Sequence, residues 1–148
     1  MKSAKIKPRV CAAILLSLLG CNPTPAARDR HHLEPPPTIA VTSAQMQELV
    51  ESSDSPVVVE FGVDIGCARC DDMRRQVAEL SRNLEGTAQV VRVDFNANRE
   101  LAAQFGANVC PSYVIFDQGQ AISAHSYPTS ADLIRIDLES RVLQSNGF

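Results

Sequence analysis

The apolar positions of the chain form two different patterns, a continuous run and a helical period, and each pattern predicts a different kind of element. The run Val57-Val58-Val59-Glu60-Phe61 is apolar apart from Glu60 and rich in β-branched Val, which is typical of a buried strand. A helical period follows at four positions spaced by four, three and four residues: Met73, Val77, Leu80 and Leu84. The segment Cys67-Ala68-Arg69-Cys70 lies between these two elements. Two cysteines are therefore expected where a strand turns into an amphipathic helix.

The same patterns predict the remaining elements. Strands are expected at about 38–41, 57–63, 88–95, 112–116 and 121–125, and helices at about 43–52, 67–84, 98–105 and from Ser130 onward. The apolar side of the last helix is expected to come from Leu133, Ile134, Ile136, Leu138, Val142 and Leu143. This order predicts an α/β fold, with a mixed central sheet of four to five strands and helices on both faces.

The first twenty residues have the features of a targeting segment. Four basic residues precede an apolar run at 10–19 that is too short to span a bilayer: Lys2, Lys5, Lys7 and Arg9. The run ends in Leu18-Leu19-Gly20-Cys21, which resembles the lipobox of bacterial lipoproteins. That resemblance implies a signal peptide at 1–20, lipidation of Cys21, and an extracytoplasmic protein anchored by lipid. Asn22 in place of Asp is consistent with an outer membrane location facing the periplasm. The alternative is an ordinary secretory signal with a chance cysteine.

Residues 21–37 contain Pro23, Pro25, Pro35, Pro36 and Pro37, and no apolar period. The segment is interpreted as a tether, and the sixteen residues 22–37 that follow Cys21 could, in polyproline II form, reach roughly 50 Å from the membrane. His31 and His32 lie within it; they form either a metal-binding pair or, as we expect without a third ligand nearby, two solvated residues. Residues 38–148 then form the globular domain.

Charge argues against nucleic acid as a partner. All lysines lie in the predicted signal peptide, and its removal leaves ten Arg against 17 acidic residues, a net charge of −7. An acidic protein without a basic cluster is a poor nucleic-acid binder.

The cysteine pair predicts redox chemistry. The first thiol would lie at the helix N-terminus, where free N–H groups and the helix dipole favour the thiolate. The second thiol, one turn into the helix, would be within reach to close a disulfide. A permanent structural disulfide, a buried pair of free thiols and a zinc half-site are the alternatives, although zinc would need two further ligands.

Several stretches together resemble thioredoxin over about residues 40–145. Val59-Glu60-Phe61 is similar to the Val-Asp-Phe strand of that family, and Val91-Arg92-Val93-Asp94 to its second central strand. The segment 101–107 looks like its Leu-Ala-x-x-Phe-Gly motif. Val109-Cys110-Pro111-Ser112 begins a segment like the family's strand with a cis proline. A thioredoxin-like fold is the expectation.

This resemblance implies roles for individual residues. Cys67 is expected to attack a client disulfide, and the more buried Cys70 to resolve the mixed disulfide. Glu60 matches the buried acid that relays a proton to the second cysteine. This chain has one more residue between the acid and the first cysteine, so a bulge, or a Glu60 that faces solvent, is the alternative. Cys110 and Pro111 are expected to contact an extended client through the backbone.

The chain also departs from the family pattern. Gly66 replaces a Trp, so the aromatic contact surface of the family is expected to be missing. Ala68-Arg69 replaces Gly-Pro, and Arg69 should stabilise the thiolate. Cys110, where the family has Thr, Val or Ile, would place a third sulfur beside the pair; it either modulates the pair or only fills an apolar slot.

The resulting expectation is a membrane-tethered thiol–disulfide oxidoreductase. It would act as a monomer on protein thiols and disulfides, need a redox partner for recycling, and require no cofactor. Two alternatives stay open. Cys67, Cys70 and Cys110 could form a module that handles Cu(I) or Zn²⁺, or the fold could serve as a non-catalytic binding module.

Overall fold

Nine elements build the domain in the computed structural model, which describes residues 38–145. The strands are β1 (Ile39–Ala40), β2 (Val57–Gly62), β3 (Gln89–Asp94), β4 (Ser112–Asp117) and β5 (Gln120–Ser126). The helices are α1 (Ser43–Ser52), α2 (Ala68–Asn83), α3 (Arg99–Gln104) and α4 (Ala131–Ser145). The signal peptide, Cys21 and the tether with its histidines fall outside the described residues, and so stay predictions.

The strands form one mixed sheet in the order β1-β3-β2-β4-β5. β3 pairs in parallel with both β1 and β2, whereas β4 is antiparallel to β2 and β5 to β4. β2 lies at the centre, and all six of its residues are buried. A strand covered on both faces needs apolar side chains on both, which explains its nearly continuous Val and Phe run. The predicted mixed sheet is confirmed.

Alternate residues of β2 face two separate cores. Val57, Val59 and Phe61 pack with α1 and α3 in one core. Val58 packs on the opposite face of the sheet with α2 and α4, whose main buried contributions are Val77 and Ile134. Helices therefore cover both faces of the sheet, as the sequence predicted, and full burial of each such side chain stabilises the fold by roughly 1.5–3 kcal/mol.

The apolar side of α4 is narrower than predicted. Ile134 and Leu138, one turn apart, are buried, but Leu133 is 46% exposed and Ile136 is 56% exposed. A helix offers its neighbours a stripe of residues three and four apart, so positions 133 and 136 turn away when 134 and 138 face the core. Their assignment to the buried side was wrong.

Local capping signals fix several element ends. Thr42 caps α1: its hydroxyl accepts the Gln45 N–H at 3.2 Å, and the Gln45 side chain accepts the Thr42 N–H at 2.9 Å. Such a reciprocal pair stabilises a helix start by about 1 kcal/mol. Gln118 and Gly119, both with positive φ, form the tight turn between β4 and β5. Within residues 38–145, no helix is both long enough and apolar enough to cross a bilayer.

Candidate active site

The cysteine pair lies at the start of α2, just after the end of β2. The strand ends at Gly62, and a four-residue loop leads to Cys67, the N-cap of α2. Gly66, with φ 81°, has a backbone conformation that L side chains rarely adopt, so glycine suits this turn. The loop leaves Cys67 half-buried and places Cys70, one turn into the helix, at 0% exposure. The predicted strand-to-helix position is confirmed.

Cys67 and Cys70 form a disulfide, with Cα atoms 5.2 Å apart. The Sγ atom of Cys67 also accepts the backbone N–H of Cys70 at 3.0 Å. This is the hydrogen bond that an N-cap side chain normally makes, with sulfur in place of oxygen. In the reduced protein the same N–H and the helix dipole would stabilise a thiolate on Cys67.

A second loop faces the pair. The Cys110–Pro111 peptide bond is cis, as the resemblance implied. The Sγ atom of Cys67 lies 3.8 Å from the Cys110 carbonyl oxygen and 3.9 Å from the Cys110 Sγ atom. Cys110 is a free, half-buried thiol. The third sulfur expected from the sequence is therefore beside the pair.

The sheet holds this loop in place. β4 begins directly after Pro111, and its first residue, Ser112, pairs with Phe61 near the end of β2. The buried Ser112 hydroxyl donates a hydrogen bond to the Val109 carbonyl at 2.6 Å. The backbone N–H of Tyr127 donates to the Pro111 carbonyl at 2.9 Å. The pairing with Phe61 holds the start of β4 beside the end of β2, and the two hydrogen bonds fix the proline loop next to it.

Glu60 lies on the same face of β2 as Val58, in a row that crosses three strands. Its register partners are Arg92 on β3 and Tyr113 on β4, so the three side chains lie on the same face of the sheet. Arg92 donates two hydrogen bonds to the Glu60 carboxylate, at 3.1 Å from Nε and 3.3 Å from Nη2. The Tyr113 hydroxyl lies 3.4 Å from Oε1. Glu60 is thus a buried carboxylate with two partners, not a solvent-facing side chain.

Burial dominates the electrostatics of this row. It raises the pKa of Glu60, while the charge and hydrogen bonds of Arg92 and the Tyr113 hydroxyl oppose that rise. Burial, together with the Glu60 charge, also raises the pKa of Tyr113. Burial would lower the pKa of Arg92, but the attraction of Glu60 outweighs it and raises this pKa. Burial therefore disfavours the ionised Glu60 carboxylate, and the ion pair with Arg92 offsets part of that effect.

Arg92 also connects the row to the loop before Cys67. Its Nη1 atom lies 2.6 Å from the exposed Asp64 carboxylate. The sequence comparison gave this chain one more residue between the acid and the first cysteine than the family has. β2 pairs with β3 without a bulge from Val57 to Gly62, so the additional residue lies in this loop. Among residues 38–145, hydrogen bonds to the Glu60 carboxylate come from Arg92 and Tyr113 and not from Cys70. The proton relay through Glu60 stays a prediction.

Gly62 makes room for the Glu60 side chain. The two residues lie on the same face of β2, two positions apart. A Cβ atom at position 62 would approach the Glu60 Oε1 atom to 2.8 Å. The carboxylate therefore extends along the strand over Gly62, toward the end that leads to Cys67.

An exposed apolar rim surrounds the pair. Ile65 is 89% exposed in the loop before Cys67, and Val109 and Tyr127 are also exposed. The guanidinium of Arg69 lies 5.1 Å from the centre of the Tyr127 ring and 3.8 Å from the Asp72 carboxylate. An aromatic contact is thus present despite the missing Trp, because the hydrogen bond to Pro111 holds Tyr127 beside the proline loop. Position 66 itself remains a glycine, as the sequence showed, and Tyr127 lies at a different place, next to the proline loop.

Sequence reasoning missed Arg92 and Tyr113 as partners of Glu60, and Ile65 and Tyr127 as rim residues. Arg92 interrupts the otherwise apolar run Val90-Val91-Arg92-Val93. A charged residue in a predicted buried strand was the sequence feature that could have indicated a charge beside the core. Tyr127, which follows β5, had no such signal.

Comparison with known proteins agrees with this geometry. The Thioredoxin family model matches residues 37–139. Thioredoxin 1 of Nostoc sp. is 33% identical over 82 residues, which are 55% of this chain and 76% of that protein. The thioredoxin of Synechocystis sp. is 33% identical over 85 residues, 57% of this chain and 78% of the relative.

The fold agrees as well. A mutant thioredoxin from Halobacterium salinarum NRC-1 superimposes with a TM-score of 0.62 at 22% identity, covering 72% of this chain and 92% of that one. At that identity the likeness concerns the fold alone. The family match spans more than half of the chain and includes the Cys67–Cys70 pair, so the chain belongs to the thioredoxin family of thiol–disulfide oxidoreductases.

Proposed function

We propose that this protein is a lipid-tethered, extracytoplasmic oxidoreductase that exchanges disulfides with client proteins through Cys67 and Cys70. The observation that carries the proposal is the difference between the two sulfurs. Cys67 is accessible and accepts an N–H at the start of α2, whereas Cys70 is fully buried. An accessible, stabilised thiolate is suited to attack a large client, and a buried one to act only after the client is bound.

The reaction begins with the reduced pair. The Cys67 thiolate attacks one sulfur of the client disulfide, and the other client sulfur leaves as a thiolate that takes up a proton. The Cys70 thiol then loses its proton and attacks the Cys67 sulfur of the mixed disulfide. The client leaves with two thiols and two more electrons, and the Cys67–Cys70 disulfide remains. A dithiol partner protein returns two electrons and two protons to the pair, and no cofactor takes part.

The proline loop supports client binding. The backbone of Cys110, next to Pro111, lies at the Cys67 sulfur and can pair with an extended client segment. The exposed Ile65, Val109 and Tyr127 would contact apolar side chains of the client beside its disulfide. Backbone pairing accepts many sequences, so we propose a range of client proteins.

Turnover with a protein disulfide tests the oxidoreductase. The full chain, supplied with a dithiol reductant, should speed the reduction of insulin well above the rate with reductant alone, followed as precipitation of the free B chain. A protein whose cysteine pair cycles between its two redox states but leaves insulin reduction at the background rate would support a non-catalytic binding module instead.

Lipid anchoring is proposed from the sequence Leu18-Leu19-Gly20-Cys21. Cys21→Ala should move the protein from the membrane fraction to the soluble fraction, or leave it unprocessed, because the lipid acceptor is gone. Immunoblots of fractionated cells measure this, and Cys11→Ala, in the segment that is removed, is the matched control. Equal membrane association of the wild type and Cys21→Ala would contradict the anchor without affecting the exchange chemistry.

A further inference from the structure

We infer that the reduced protein has a second function at this site: Cys67, Cys70 and Cys110 bind one Cu(I) ion through three thiolates. Their Sγ atoms all lie within 4.8 Å of one another. Cys67 and Cys70 lie at the start of α2, and Cys110 lies in the proline loop. The pairing of Phe61 with Ser112 joins the strands that lead to and from these two segments. The cluster is therefore part of the folded framework.

The size of the sulfur triangle suits a three-coordinate ion. With metal–thiolate bonds of about 2.3 Å, a trigonal site places its sulfurs about 4 Å apart. The Cys67 and Cys110 sulfurs are already 3.9 Å apart. When the Cys67–Cys70 disulfide is reduced, its sulfurs are no longer bonded and separate to van der Waals distance, which completes a triangle with sides close to the trigonal value.

The same triangle argues against Cys110 as an attacking thiol. A thiolate attacks a disulfide along the S–S axis, so a Cys110 sulfur 3.9 Å from Cys67 and in line with the bond would lie about 6 Å from the Cys70 sulfur. The Cys70 and Cys110 sulfurs are within 4.8 Å. Cys110 lies to the side of the disulfide, which disfavours exchange and favours convergence of the three sulfurs on one point.

The donor set selects the metal. Within residues 38–145, the cluster contains three cysteines and no histidine or carboxylate. Zinc in proteins almost always takes four ligands in structural sites, whereas thiolate sulfur is soft and selects Cu(I). Cys70 is fully buried and the other two cysteines are half-buried, so the protein covers the site in part.

Redox state would then control metal binding. A dithiol donor supplies two electrons and two protons to open the disulfide, and Cu(I) displaces the protons of the three thiols as it binds. The ion keeps its oxidation state throughout. The oxidised protein, with two ligands joined in a disulfide, should not bind, and bound Cu(I) should protect the pair from oxidation.

Anaerobic titration with Cu(I) against the chromophoric chelator bicinchoninate tests this. The full chain carrying Cys11→Ser and Cys21→Ser retains only three of its five cysteines. When reduced, it should take one Cu(I) per chain. Cys110→Ser in this background should weaken Cu(I) binding by at least about 100-fold, since loss of a partner behind a ligand alone costs 10- to 100-fold. Val109→Ser, in the same loop, is the matched control and should bind as the parent does.

X-ray absorption of the Cu(I)-loaded parent provides a readout that needs no further variant. It should show three sulfur neighbours at one short distance. Two sulfur neighbours, unchanged affinity in Cys110→Ser, or equal binding by the oxidised protein would each overturn the three-thiolate site. None of these outcomes depends on insulin reduction, so failure of the metal site and failure of the proposed exchange activity can be told apart.

Discussion

Cys67→Ser should abolish disulfide exchange, whereas Cys70→Ser should accumulate client proteins as mixed disulfides. The first substitution removes the accessible nucleophile at the start of α2, where the Cys70 N–H stabilises its charge. The second leaves that nucleophile intact and removes the buried thiol that would resolve the intermediate. Exchange activity should fall to the background rate in both variants, and only Cys70→Ser should carry covalently bound client.

Non-reducing electrophoresis of the full chain, isolated from cells after acid quenching, measures the trapped species. Bands that disappear on reduction should be abundant with Cys70→Ser and absent with Cys67→Ser. The double variant is the control for cysteines outside the pair, and it should trap nothing. Equal trapping by the two single variants, or exchange activity in either one, would show that the roles are assigned incorrectly.

Arg92→Leu should destabilise the domain by about 3–5 kcal/mol, the usual cost of leaving a buried charge without its partner. Glu60 is fully buried, and Arg92 supplies two of the hydrogen bonds to its carboxylate. Tyr113 is the remaining partner and carries no positive charge. Urea unfolding followed by circular dichroism measures the loss.

The pH dependence of this loss has a definite sign. Burial already raises the pKa of Glu60 above its ordinary 4.5, and Arg92 opposes the rise. Without Arg92 the folded pKa rises further, so the folded variant holds its proton more tightly than the unfolded chain. The stability that comes from proton binding by Glu60 is complete below the pKa of the unfolded chain, and it is lost as the pH rises through the pKa of the folded protein. The stability gap between wild type and Arg92→Leu should therefore be wider at neutral pH than near pH 4.5.

Two further variants separate the charge effect from simple loss of packing. Glu60→Leu combined with Arg92→Leu should recover most of the stability, because apolar side chains can replace a buried ion pair at little cost. Arg99→Leu, an exposed arginine on the following helix, should change stability by no more than about 0.5 kcal/mol. A gap that does not vary with pH, or a double variant no more stable than Arg92→Leu, would contradict the ion-pair explanation.

Local sequence patterns were sufficient to predict much of the fold. Every residue of the predicted α2 stripe is buried, Thr42 caps α1, and the cysteine pair lies at a strand-to-helix turn. These features depend on neighbours within a few positions along the chain, and such neighbours are visible in a sequence.

Features set by distant contacts were not predictable in the same way. The row of Glu60, Arg92 and Tyr113 depends on the pairing register of three strands, and the register is fixed by the whole sheet. The exposure of Leu133 and Ile136 depends on the rotation of α4 against its neighbours, since all the apolar residues of that helix look alike in the sequence. Tyr127 reaches the site through distant contacts: Ser126 before it pairs with Ser112, and its N–H donates to the Pro111 carbonyl.

The close approach of Gly62 and Glu60 implies that these two positions are coupled over evolution. A Cβ at position 62 would come within 2.8 Å of Oε1, so the glutamate would have to shift away from its hydrogen bonds with Arg92 and Tyr113. An aspartate, one methylene shorter, would withdraw its carboxylate and free that space. Homologues with a side chain at position 62 should therefore carry a shorter residue at position 60. Co-variation of the two positions would then indicate how far the buried acid extends along the strand in chains without a structure.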